Sequence, residues 1–178
     1  MNSFSNTNKL IELLNSAYSS EQAAAYAYRG HWKSVRNGDE KHRIREIEKE
    51  EWKHRECVGK MIQRLGGRPS VFKEIITLVI GRAIGFLCHV TGWLAPMYFA
   101  GNLESKNIGE YEVAARCARD SGNEEFVNDL LDMAEVEWEH ERYFRSQVLK
   151  HCLGRRIPIW PASPPKESIR TRYDSSCQ

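Results

Sequence analysis

The chain lacks what a nucleic-acid binder, a zinc knuckle or a disulfide-stapled module would need. Its 26 lysines and arginines stand against 24 acidic residues, a formal net charge of +2, so there is no basic field to hold a polyanion and no nucleic-acid partner is expected. The five cysteines, Cys57, Cys88, Cys117, Cys152 and Cys177, are scattered, odd in number and never spaced CxxC. That excludes a disulfide framework or a built-in rubredoxin module and fits a reducing compartment. The opening MNSFSNTNKLIELL has neither the basic head nor the continuous apolar run of a secretory signal, so a cytoplasmic location is expected. Strand-like alternation is missing throughout. Proline is scarce until the tail, where it stands at 158, 161, 164 and 165.

What remains is helical periodicity. Leu10, Leu13, Leu14, Ala17, Tyr18, Ala24, Ala25 and Tyr28 recur at helical spacing between Asn8 and Val35, and Asn37-Gly38 ends the run. Asp39 is the expected N-cap of a second helix, striped by Ile44, Ile47, Val58, Met61, Ile62 and Leu65 and stopped by Gly66-Gly67 and Pro69. Gly101 to Asp120 reads as a third helix, Ser121-Gly122-Asn123 as a turn, and Glu124 to about Cys152 as a fourth. The length suits one domain, a helical bundle over 1–152 with an apolar connector at 70–101. The tail, 153–178, shows no helical pattern and reads as extended or disordered, with Ile157 to Trp160 as the part able to dock.

Within this frame a tetrapeptide repeats: EWKH at Glu51–His54 and EWEH at Glu137–His140. Residues three apart share a helix face, so each glutamate and histidine can reach one point beside its helix. A lone ExxH is usually a solvated ion pair, but both of these interrupt apolar stripes, and buried charge needs a partner such as a metal ion. A four-helix di-metal carboxylate site requires two ExxH helices and one glutamate from each of the other two. Glu21 lies on the first helix's apolar stripe, and its midpoint with Glu51 falls at the Asn37-Gly38 turn to within a residue. On the third helix Glu104 shares its stripe with Ile108, Tyr111, Ala115 and Ala118, and its midpoint with Glu137 falls at Asp120-Ser121. Glu110 and Glu112 fail the register, and Glu112 shares its face with Ser105, Arg116 and Arg119. The expected metal ligands are therefore Glu21, Glu51, His54, Glu104, Glu137 and His140. Four carboxylates and two imidazoles suit two iron ions, with manganese as the alternative, better than zinc. Trp52 and Trp138 are expected to pack on neighbouring helices, away from the ligand face.

These residues resemble the ferritin-like di-iron proteins and, among them, the demethoxyubiquinone hydroxylase family, over roughly Asn8 to His151. The resemblance implies that the six residues above are the iron ligands and that Tyr111, seven residues after Glu104, is the tyrosine beside the centre with a catalytic role. Arg68-Pro69 followed by a long apolar stretch is similar to the family's connector between helices two and three. The sequence departs from the family at Glu110, where a histidine usually precedes the tyrosine, and in its proline-bearing tail. The implied activity is oxygen-dependent hydroxylation of a quinone-like or other apolar molecule. The alternative is a ferritin-like or rubrerythrin-like peroxidase or ferroxidase, with no organic substrate.

The stretch IITLVIGRAIGFLCHVTGWLAPMYFAG, Ile75 to Gly101, fits a crossover along the bundle. A single membrane crossing would part the two half-sites, and Arg82, His89, Gly92 and Pro96 make a poor span. Its many large apolar residues point beyond a bare crossover to peripheral membrane contact through 75–100 or a channel for a lipid-soluble substrate. Molecular oxygen and an apolar small molecule are the expected partners; assembly into a homo-oligomer is left open.

Overall fold

The computed structural model describes residues 2–175, and among these there are six α-helices and no strand. They are α1 (Asn2–Ser34), α2 (Gly38–Arg64), α3 (Val71–Leu87), α4 (Leu94–Asp120), α5 (Val127–Lys150) and α6 (Ser168–Ser175), with a short 3-10 turn at Glu124–Phe126 before α5. The chain divides into two compact units, one of Ile11–Pro96 and one of Met1–Leu10 with Met97–Gln178.

In the Ile11–Pro96 unit, α1 and α2 form an antiparallel hairpin. Arg29 Nε bonds Glu48 at 2.7 Å, Trp52 meets Tyr26 edge-on at 5.5 Å, and Gly59 faces the Tyr18 ring, so partners lie equally far from the turn. The cap of α2 is Asn37 rather than Asp39: its Oδ1 accepts from the amides of Asp39 at 2.9 Å and Glu40 at 3.0 Å. Asp39 instead sits in the first turn, where its charge suits the helix dipole. The helix ends through Gly66, whose φ of 73° lets Gly67 N–H reach the Ile62 carbonyl at 2.9 Å.

The apolar stretch does not form one uninterrupted element. It is shared between α3, a turn around Gly92 at φ 76°, and the start of α4, which begins seven residues before the Gly101 expected from sequence. Helix α3 packs by its small residues. A Cβ on Gly81 would stand 2.5 Å from the Ala23 carbonyl oxygen, and one on Gly30 would stand 2.2 Å from that of Gly85. Only Gly81 and Gly85 of α3 are buried, while Val71, Phe72, Ile75, Val79 and Phe86 are each more than half exposed. Glu74 ties the helix down: it accepts from Ser19 Oγ at 2.9 Å and pairs with Arg55, whose guanidinium also lies over the Tyr18 ring at 3.6 Å. No helix among the described residues is long and apolar enough to cross a membrane.

His31, 2 % exposed near the end of α1, is held neutral by burial, its pKa lowered from 6.5 to about 4. Between those values the unfolded chain binds a proton that the folded chain refuses, so stability is full above 6.5 and is lost as pH falls to 4. This group alone should account for about 3 kcal/mol of that loss. Urea melts across the interval should show the decline, with a flatter profile in His31→Asn; parallel profiles would contradict a buried neutral imidazole.

In the Met97–Gln178 part of the other unit, α4 ends in the same manner as α2. Gly122 has φ 78°, and Asn123 N–H reaches the Ala118 carbonyl at 2.8 Å. The tail differs from the sequence reading. Residues 168–175 form α6, which buries Ile169 and Tyr173, and Trp160 is 6 % exposed. Eight residues carry too weak a periodic signal to be read as a helix and too few hydrogen bonds to persist alone. Here the helix is held by pairs of Arg170 with Asp132 and Glu135 and of Arg172 with Glu112. Cys177 lies outside the described residues; Cys57, Cys88, Cys117 and Cys152 form no disulfide.

Candidate metal centre

Each unit gathers three of the expected ligands. In the Ile11–Pro96 unit, α1 supplies Glu21 and α2 supplies Glu51 and His54, and one ligand atom from each lies within 4.8 Å of the others. In the other unit, α4 supplies Glu104 and α5 supplies Glu137 and His140, again with ligand atoms within 4.8 Å of one another. Exposure is 3 % for Glu21, 6 % for His54 and 0 % for the remaining four. The cause is local in both: a three-residue step aligns the ExxH pair on the buried face, and the neighbouring helix sets a glutamate opposite.

Two ionised carboxylates at such depth repel one another, and a proton or a cation among them relieves the repulsion, with the imidazole as a neutral donor. Three arginines near the ExxH pairs in sequence have contacts of their own. Arg142 lies over the Trp138 ring at 5.5 Å, Arg55 binds Glu74, and Arg145 binds Glu141 at 2.6 Å. Ligands at about 2.1 Å from a first-row metal are about 3–4 Å from each other, so each triad is close to the spacing one ion imposes. The donor set would suit ions of the iron or manganese class: oxygen-rich, with one imidazole in each triad. Glu137 Oε2 lies 3.5 Å from His140 Nδ1, and Asn107 Nδ2 donates to Glu104 Oε2 at 3.0 Å, which orients that carboxylate.

The rejected glutamates stand apart from this site. Glu112 pairs with Arg172 and, at 3.9 Å, Arg116, while Glu110 is exposed. Tyr111 is 3 % exposed, two turns beyond Glu104 and about 10 Å along the helix axis, so it is outside the triad. Neither tryptophan of the repeats is a donor to the triads. Trp52 packs on Tyr26, and Trp138 Nε1 donates to the Pro164 carbonyl at 2.7 Å. Sequence reading missed Asn107, whose three-residue offset from Glu104 was the available signal, and Glu141, which directly follows His140.

Residues 8–112 match the family model described as ubiquinone biosynthesis protein COQ7. The chain belongs to this family. COQ7 is the demethoxyubiquinone hydroxylase family, a ferritin-like di-iron protein family. The matched segment contains Glu21, Glu51, His54, Glu104 and Tyr111; Glu137 and His140 lie beyond it and are supported by the repeated motif and by their own geometry. No curated protein and no solved structure matches the chain.

A cavity of about 480 Å³ in the Ile11–Pro96 unit is lined by His31, Glu40, Cys88 and Trp93, among others. Ten residues separate His31 from Glu21, about 15 Å along α1, so the cavity does not hold the triad. Trp93 Nε1 donates to Glu40 Oε2 at 2.8 Å there, which makes this indole a structural contact and not part of the exposed apolar face.

Proposed function

We propose that Glu21, Glu51, His54, Glu104, Glu137 and His140 hold two iron ions and that the protein is an oxygen-dependent hydroxylase of a quinone-like or other apolar substrate. The observation that carries this reading is the pair of buried Glu, Glu, His triads in a chain of the COQ7 family. Bound iron supplies the oxygen-activating redox chemistry that protein side chains lack. The residues then have definable tasks. The four glutamates neutralise the metal charge, His54 and His140 complete the ligand set, and near-zero exposure of the donors keeps bulk water away from the reacting ring. Tyr111, buried on the Glu104 face of α4, would carry a proton or an electron toward the centre in this reading.

The outward apolar face of α3 supports an apolar substrate, since a lipid-soluble ring is delivered from a membrane and not from water. Peripheral membrane contact is accordingly proposed for the exposed side of α3, with Phe72, Val79 and Phe86 among its most exposed apolar groups. Binding to vesicles should survive high salt in large part, because it rests on apolar contact. Changing these three residues to Ser should release the protein without removing iron; unchanged partitioning would leave α3 to a protein partner or a second copy of the chain.

The chemistry is tested with a demethoxyquinone, a reductant and isotopically labelled oxygen. The product should gain one labelled oxygen atom, and Glu21→Ala should abolish the gain. Oxygen consumption that never labels the quinone, with iron oxidised or peroxide turned over, would replace this reading by the ferroxidase or peroxidase one.

A further inference from the structure

We infer that the C-terminal segment plugs the seam between α4 and α5, with Trp160 as a positioning residue that fixes Glu104 against Glu137 and His140 and bars water from that triad. The inference rests on the metal reading above but concerns residues which that reading does not use.

Trp160 is built into the unit rather than laid upon it. Its Nε1 donates to Glu141 Oε1 at 2.7 Å, an oxygen that also accepts from Arg145 Nε at 2.6 Å. Arg145 Nη2 returns to the tail, donating to the carbonyls of Trp160 at 3.0 Å and Pro161 at 2.8 Å. On the α4 side the indole meets the Tyr98 ring edge-on at 5.3 Å, and Tyr98 Oη donates to the Pro158 carbonyl at 2.9 Å. Gly101 is what admits the ring: a Cβ there would stand 2.3 Å from Trp160 Cζ2 and 2.9 Å from Phe144 Cβ.

The placement relative to the triad follows from helix geometry. Gly101 lies one turn before Glu104 on α4, while Glu141 directly follows His140 and lies one turn beyond Glu137 on α5. The indole therefore sits between the two helices one turn from Glu104 and Glu137, on the residue next to His140. Tethering the tail would not require this, because Lys166, Arg170 and Arg172 already pair with acidic groups on α4 and α5. Burying Glu141 at 0 % exposure and Arg145 at 9 % is costly, and their mutual pairing offsets the cost only in part, with Trp160 adding one bond to Glu141 and, through its carbonyl, one to Arg145. Without the indole, a groove walled by a carboxylate and a guanidinium would fill with water and lead toward the triad.

The test compares the full-length protein with Trp160→Ala and Trp160→Phe, each loaded with ferrous iron under anaerobic conditions and then mixed with a ferrous chelator. Iron should leave Trp160→Ala about tenfold faster or more, as for loss of an outer-shell support, and Trp160→Phe should restore most of the retention because the ring still fills the seam. Hydrogen exchange on the metal-free proteins should quicken in Trp160→Ala at 98–107 and 137–145 and not in α2. Equal release rates, or exchange that rises everywhere alike, would overturn the inference. Should Trp160→Ala fail to fold, Gly101→Ala, which displaces the ring while keeping it, must give the same faster release or the inference falls. Wild-type protein that takes up no iron would defeat the metal reading instead, and the exchange pattern would then decide on the plug alone.

Discussion

Glu51→Ala and His140→Ala should each strip the purified protein of most of its iron, from about two ions per chain in the wild type. The size of the effect follows from what the substitutions remove. Loss of a mere outer-shell partner lowers metal affinity roughly 10–100-fold, and a direct ligand at 0 % exposure should cost at least as much. Glu104→Ala should behave in the same way, whereas Glu112→Ala should retain its iron and lose only the pairing of Arg172 that holds α6. Elemental analysis of the variants decides it. Iron retained in full by both Glu51→Ala and His140→Ala would remove the metal assignment; iron lost from Glu112→Ala and kept by Glu104→Ala would mean that the register of α4 against α5 had been misjudged.

Gly30→Ala should be the most destabilising single-methyl addition in the Ile11–Pro96 unit. The new Cβ would sit 2.2 Å from the Gly85 carbonyl oxygen and 2.3 Å from its Cα, and these are backbone atoms that cannot rotate aside. Relief requires α3 to move away from α1, which would also strain the Gly81 contact with Ala23 and the Glu74 bonds to Ser19 and Arg55. Overpacking commonly costs about 1–3 kcal/mol, and a clash of backbone on backbone belongs at or above the top of that range. For a chain of this size about 3 kcal/mol corresponds to a Tm lower by roughly 10 °C. Gly109→Ala is the control: nothing lies within 4 Å of its added Cβ, and replacing a mid-helix glycine should raise stability by up to about 1 kcal/mol. A Gly30→Ala melting curve that overlays the wild type would show that α1 and α3 are not in backbone contact.

The candidate site was legible in the sequence because its logic is local. ExxH places two donors on one face by helix geometry alone, and the apolar stripes identified Glu21 and Glu104 as the inward glutamates of their helices. Glu112 was separable for the same reason, and its two arginine partners explain why an acidic residue can be 8 % exposed there without being a ligand. What escaped depends on contacts distant in sequence. Nothing near Trp160 predicts that Gly101, almost sixty residues earlier, leaves room for its ring. The first turns of α4 were hidden because Leu94 to Ala100 is apolar almost throughout and shows no period. Helix α3 inverts the usual rule, burying glycines and exposing large apolar residues, so its apolar content was readable but the direction it faces was not. Asn37 and Asp39 are both good caps, and only the hydrogen bonds at Asn37 distinguish them.

Magnetic spectroscopy of the iron-loaded protein tests most directly the proposal that Glu21, Glu51, His54, Glu104, Glu137 and His140 hold a dinuclear iron centre. Two ferric ions held in one dinuclear centre would couple their spins, so the oxidised protein should show a Mössbauer spectrum of coupled ions and no electron-paramagnetic signal from isolated ferric iron, with a mixed-valent signal emerging on one-electron reduction. Glu51→Ala or Glu137→Ala should abolish that coupled state. An oxidised protein whose iron gives instead the signal of separate, uncoupled ferric ions at full occupancy would contradict the account, since each triad would then be holding its metal alone.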